Sequence, residues 1–123
     1  MSPRVLLAVI LLLAGCSTAP SSSDYDSTAK FYSYTTFVVT DRQDGPLAAA
    51  IQAYLLSKGF ELASTPARAD FVVDYTLSSA GILSIDIVDQ RTHRRVWHGW
   101  SKEPFSQHTV HDVLSWFPPG HSQ

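Results

Sequence analysis

Five histidines, one cysteine and a Ser–Asp pair are the side chains of this sequence with chemistry to offer. His108 and His111 stand three residues apart, a spacing that sets two imidazoles on one helical face, with Asp112 beside them as a third metal ligand. Ser84 and Asp86 lie two apart in a run that alternates like a strand, so they share a face, and His98 sits in the next such run. A serine, a carboxylate and a histidine on adjacent strands are the parts of a hydrolase: nucleophile, orienting group and base. Neither set is complete. There is no His-Glu-x-x-His pattern, no second cysteine and no Gly-x-Ser-x-Gly elbow. His108 also precedes the expected start of its helix. Solvent-exposed histidines and chance proximity account for both groups. The expectation is therefore a non-enzyme with no catalytic residue, no cofactor and no metal. A small hydrolase or metal-dependent enzyme using His98 or His108/His111 is the alternative.

The cysteine has a firmer reading. Arg4, then the apolar run Val5 to Leu13, then the small residues Ala14 and Gly15 are the three parts of an export signal. Leu13-Ala14-Gly15-Cys16 is similar to a bacterial lipobox, in which the thiol takes a diacylglyceryl group and the freed amine a further acyl chain. The apolar run is about half the roughly 20 residues that span a bilayer, so it is a leader and not a permanent helix. Each buried methylene contributes about 0.8 kcal/mol, and two or three chains together anchor firmly where one does not. Ser17 follows the cysteine. An aspartate at that position holds enteric lipoproteins at the inner membrane, so Ser17 favours the outer membrane, facing the periplasm. With its one thiol taken by lipid, the chain has no intramolecular disulfide and relies on packing.

Residues 16–123 fit one domain with a single core. They carry eight Lys or Arg against eleven Asp or Glu, and that mild negative balance argues against nucleic acid. Residues 16–30 are rich in Ser, Thr, Ala, Asp and Pro and read as a lipidated N-terminus and flexible tether. Fully extended, such a tether reaches roughly 50 Å. The globular domain is expected over 31–119, with a tail at 120–123.

Within it, Phe31 to Thr40 is dense in aromatic and β-branched residues and predicts a strand. Pro46 suits the first turn of a helix. Leu47, Ile51, Tyr54 and Leu55 form its apolar face, and Gly59 stands where a left-handed C-cap belongs. Phe60 to Leu62 extends briefly. Asp70 to Ser78, Ile82 to Asp89 and Arg94 to Lys102 predict three more strands, the last two joined by a turn built on Asp89 and Thr92 side chains. Val110, Val113, Leu114 and Phe117 make a short helical face before Pro118-Pro119. The order β-α-β-β-β-α predicts an α/β (α+β) two-layer sandwich: a four-stranded mixed sheet with both helices on one face.

Several segments in this order carry a family resemblance. They are Tyr34-Thr35-Thr36-Phe37, Lys58-Gly59-Phe60, Ala69 to Tyr75, Gly81 to Asp89, Arg95 to Trp100 and Phe117-Pro118-Pro119, all behind a lipobox. The ordered set resembles the bacterial lipoprotein family known as domain of unknown function 4136, across essentially the whole domain. The resemblance implies an envelope lipoprotein and no activity. Members often have a longer segment before the last helix, so Glu103 to Thr109 predicts a short one here.

The contact surface is sought among the aromatics. Trp97 and Trp100 are an odd number of positions apart and should face opposite sides of the sheet. Tyr32 and Tyr34 should oppose Phe31 and Phe37. A two-layer sandwich buries one sheet face, so large aromatics on the other are available to a partner. Trp97, Trp100 and Tyr34 are the candidates, and a bulge near Gly99 that re-aims Trp100 is the competing reading. Arg91, His93, Arg94 and Arg95 crowd the turn; they suit lipid phosphates or anionic glycan, or simply a solvated tip. The function expected is a membrane-anchored envelope module that contacts another protein, a glycan or itself.

Overall fold

A computed structural model describes residues 21–40, 45–106 and 108–118. Eight elements follow in order: β1 (Ser21–Tyr25), β2 (Thr36–Val39), α1 (Gly45–Ser57), β3 (Glu61–Leu62), β4 (Phe71–Leu77), β5 (Leu83–Asp89), β6 (Arg95–Ser101) and α2 (Thr109–Leu114). The α+β class and the mixed sheet hold, but the sheet has six strands, not four, in the order β1-β6-β5-β4-β2-β3. β2 runs parallel to both β3 and β4, and the remaining pairs are antiparallel. The two extra strands are the two edges.

The helix positions follow from the sequence. Leu47, Ile51 and Leu55 of α1 are buried on one stripe. Gly59 takes φ 98°, and the Phe60 amide donates to the Leu55 carbonyl at 3.2 Å. That closure needs a left-handed residue, and it folds Phe60 back into the core against Phe71 and Phe117. α2 has only six residues, as the short preceding segment predicts. Both helices contribute to a single core with the inward residues of the sheet, among them Phe37, Phe71, Val73, Leu83, Ile85 and Ile87. Phe117 joins the layers, with ring centroids 5.5 Å from both Phe71 and Trp97.

The polar segment read as tether needs correction. Ser21–Tyr25 is a strand, paired with β6 from Ser21↔Ser101 to Tyr25↔Trp97. Without it β6 would be a seven-residue edge with open backbone groups, and a segment of small side chains can cap that edge without steric conflict. Ser21 is buried: its hydroxyl donates to the Asp112 carbonyl and accepts from Trp116 Nε1, both at 2.8 Å. The ordered domain thus begins by Ser21 instead of residue 31. Removing residues 21–25 should cost more than about 2 kcal/mol, near 10 °C of melting temperature for a domain this size. Thermal melts of chains beginning at Ser21 and at Asp26 test this, and coincident curves would refute a structural role for the strand.

The first expected strand also changes. Phe31–Ser33 is a 3-10 turn, and extended pairing starts only at Thr36. Asp70 sets that start, because its Oδ2 accepts the amides of Thr35 at 2.7 Å and Thr36 at 3.0 Å. The turn breaks the expected alternation and leaves Tyr32 out in solvent while Tyr34 turns in.

Candidate functional site

The β5–β6 pairing decides where each candidate side chain goes. Its register runs Ser84↔Trp100, Asp86↔His98 and Ile87↔Trp97, then slips so that Val88 faces Arg95. The slip is a bulge at Val96, not near Gly99. It lets Val96 and Trp97 both point inward and returns Arg95 to the outer face. Trp97 is 1% exposed and Tyr34 4%, so neither belongs to a contact surface. Trp97 is buried because its indole lies over Gly99, where no side chain intervenes. Tyr34 is buried because its hydroxyl finds a partner inside, Asp89 Oδ2 at 2.7 Å. Trp100 alone of the three remains on the outer face, partly exposed.

That outer face is organised in rows across the strands. One row is Asp24, His98, Asp86 and Asp74, from β1 through β6 and β5 to β4. The next, toward the start of β1, is Ser22, Trp100, Ser84 and Thr76. On the other side lie Arg95, Val88, Val72 and Val38. His98 Nδ1 is 2.5 Å from Asp86 Oδ1, and Arg95 Nη1 is 3.5 Å from the same oxygen. The His98 and Trp100 rings stack at 5.0 Å. An aromatic plate beside carboxylates and hydroxyls, on a face that no described helix covers, suits a flat polar partner.

The hydrolase geometry is only half assembled. An ionised carboxylate only accepts, so the Nδ1 of a neutral His98 carries the proton and Nε2 is left for a nucleophile. Ser84 stands opposite Trp100, one pair further along, and among the described residues it has no hydrogen bond to His98. Of the histidine pair at the C-terminal helix only His111 lies within α2. His108 precedes α2, and His111 packs edge-on against Tyr54 at 5.5 Å with its Nδ1 3.9 Å from Asp112. Among the described residues no group of three or more His, Cys, Asp or Glu side chains is placed to hold a metal ion. Cys16 lies outside the described residues.

The polar pair that the sequence did not announce is Tyr34–Asp89. Asp89 is buried at the end of β5, where its Oδ1 accepts the amides of Arg91 at 2.9 Å and Thr92 at 3.0 Å. Burial alone would raise its pKa, but the Tyr34 hydroxyl and the two amides outweigh that and hold it below the usual carboxylate value. Burial, and then the bond to Asp89, push Tyr34 well above an ordinary tyrosine. The pair therefore locks the hairpin to the turn before β2. Beside it lies a polar cleft of about 230 Å³, lined by Ser33, Ala69, Asp70 and Arg91 as well. That is below the roughly 300 Å³ at which small-molecule sites begin. The Asp89 turn chemistry was visible in the sequence; its buried partner was not, since 55 residues separate the two. Of the three arginines at the tip, Arg94 pairs with Asp26 at 3.7 Å and Arg95 with Asp86.

No family model and no curated protein matches the chain. Solved structures do. A DUF4136 family protein from Bacteroides thetaiotaomicron superposes with a TM-score of 0.57 at 12% identity, covering 73% of this chain and 85% of that one. Two structures of the PelC dodecamer from Paraburkholderia phytofirmans give TM-scores of 0.51 and 0.50, at 13% and 14% identity, each covering 77% of this chain and 96% of that one. Identities this low speak for the fold and transfer no residue roles. The chain shares the fold of a DUF4136 family protein, in agreement with the resemblance carried by its ordered motifs.

Proposed function

We propose that this chain is a lipid-anchored envelope module, held through Cys16 to the periplasmic side of the outer membrane, which works by contact and not by catalysis. The observation that carries this reading is the uncovered sheet face, where Trp100 stacks on His98 between rows of carboxylates, hydroxyls and valines. The face offers a recognition surface, and its one histidine is engaged with Asp86 instead of a nucleophile. Another envelope protein, a glycan and a second copy are the partners considered. A second copy is favoured, because a protein of the same fold is a dodecamer. The lipobox pattern and Ser17 support the anchor and its membrane.

Trp100→Ala should reduce capture of the partner by an in-cell crosslinker placed at Val72 by at least about tenfold, as loss of a central aromatic anchor does. The melting temperature should move by no more than about 5 °C, since the ring is outside the core. Unchanged capture would sink the proposal. Sedimentation of the lipidated protein in detergent separates self-association from a foreign partner.

A further inference from the structure

The short distance between anchor and fold has a consequence for which end of the domain meets the membrane. β1 starts at Ser21, only five residues after Cys16, and five residues span at most about 18 Å. A domain of about 100 residues has a radius of gyration near 13 Å, so it cannot swing freely on such a tether. Ser21 is therefore held close to the headgroups, along with whatever adjoins it.

What adjoins it is Trp116. Its Nε1 donates to Ser21 Oγ at 2.8 Å, yet the residue is 52% exposed. Two further large apolar side chains lie exposed at the same end of the sheet. Phe105 follows β6, and its amide donates to the Gly81 carbonyl in the β4–β5 turn at 2.7 Å. Leu77 ends β4, opposite Leu83, whose amide donates to Ser101 Oγ; Ser101 in turn pairs with Ser21. The cationic tip at Arg91 and Arg94 lies at the other end of seven-residue strands, roughly 23 Å away. The other large apolar side chains exposed among the described residues, Tyr25, Tyr32, Leu56 and Leu62, are not at the Ser21 end.

We infer that Trp116, with Phe105 and Leu77 at the same end of the sheet, rests in the membrane–water interface and fixes the orientation of the domain. Tryptophan suits this position: the ring is apolar and its N–H is polar, which is why the residue is enriched at headgroup depth. Here the N–H already has its partner in Ser21, leaving the ring for lipid. The cationic tip then faces away from the anchoring membrane, and the outer sheet face stands at its side, open to a partner. The inference rests on the lipid anchor proposed above.

The test uses the full lipidated protein in phosphatidylcholine vesicles brominated at shallow or at deep acyl positions. The chain has three tryptophans, so shallow bromines should quench about a third of the emission, and deep bromines clearly less. Trp116→Phe should abolish that quenched fraction. Equal quenching of the wild type and Trp116→Phe would overturn the inference. So would an unquenched Trp116 that acrylamide cannot reach either, since a second protein would then cover it. The shallow-against-deep comparison needs no variant and stands even if Trp116→Phe fails to fold. Intact mass reports the anchor separately. An unmodified Cys16 overturns both readings, whereas a triacylated Cys16 without quenching overturns only this one.

Discussion

Gly99→Ala is expected to destabilise the domain by roughly 3 kcal/mol, although it adds a single methyl group. A Cβ at Gly99 would overlap the Trp97 ring, 2.8 Å from Cζ2 and 2.9 Å from Cζ3, with Cη2 closer still. The ring cannot retreat. It is fully buried, and Phe117 stands against it at 5.5 Å. Its Nε1 has no hydrogen-bond partner among the described residues, so packing alone holds it. The cost should therefore depend on Trp97. In a Trp97→Leu background the same Gly99→Ala change should cost well under half as much, and the difference is the coupling between the two sites. Urea midpoints of the four proteins measure it. Additive effects would mean that the indole does not occupy the space above Gly99.

Asp89→Ala should be comparably harmful, at about 3 kcal/mol. It leaves the buried Tyr34 hydroxyl without its acceptor and frees the amides of Arg91 and Thr92 at a turn where His93 already holds φ 58°. The pH dependence separates charge from geometry. Because the folded carboxyl is held below its ordinary value, its contribution is complete above the unfolded pKa of about 3.9. It is lost as pH falls through the lower folded value. Asp89→Asn should accordingly be less stable than wild type at neutral pH, with the gap closing below about pH 4. A gap that stays constant down to pH 2.5 would show that Asp89 acts without its charge.

Local pattern and long-range partnership divide the readable from the unreadable. β4 and β5 were legible because strict alternation has one explanation, a sheet with one face buried, and β6 as the return strand after the turn at Asp89. α1 was legible from its apolar stripe and from Gly59. The strand at Ser21–Tyr25 was not, because its residues bury little; the open edge of β6 recruits it, and the pocket beside α2 takes Ser21. Likewise, parity assigned Trp97 and Trp100 to opposite faces but could not say which was inside. The choice goes with Gly99, which leaves room for the Trp97 indole on the inner face. Tyr34 was misassigned because the 3-10 turn at Phe31–Ser33 interrupts the parity, and a distant carboxylate rewards its burial.

The sequence by itself determined the leader-and-cysteine pattern, the α+β class, the hairpin of β5 and β6 and the C-cap of α1. All of these depend on residues within a few positions of one another. Only the tertiary structure decided that the polar N-terminal segment joins the sheet, that Tyr34 and Trp97 belong to the core, and that His98 meets Asp86 without a nucleophile. Those outcomes turn on register and on space left by residues far along the chain, and neither is encoded in any local period.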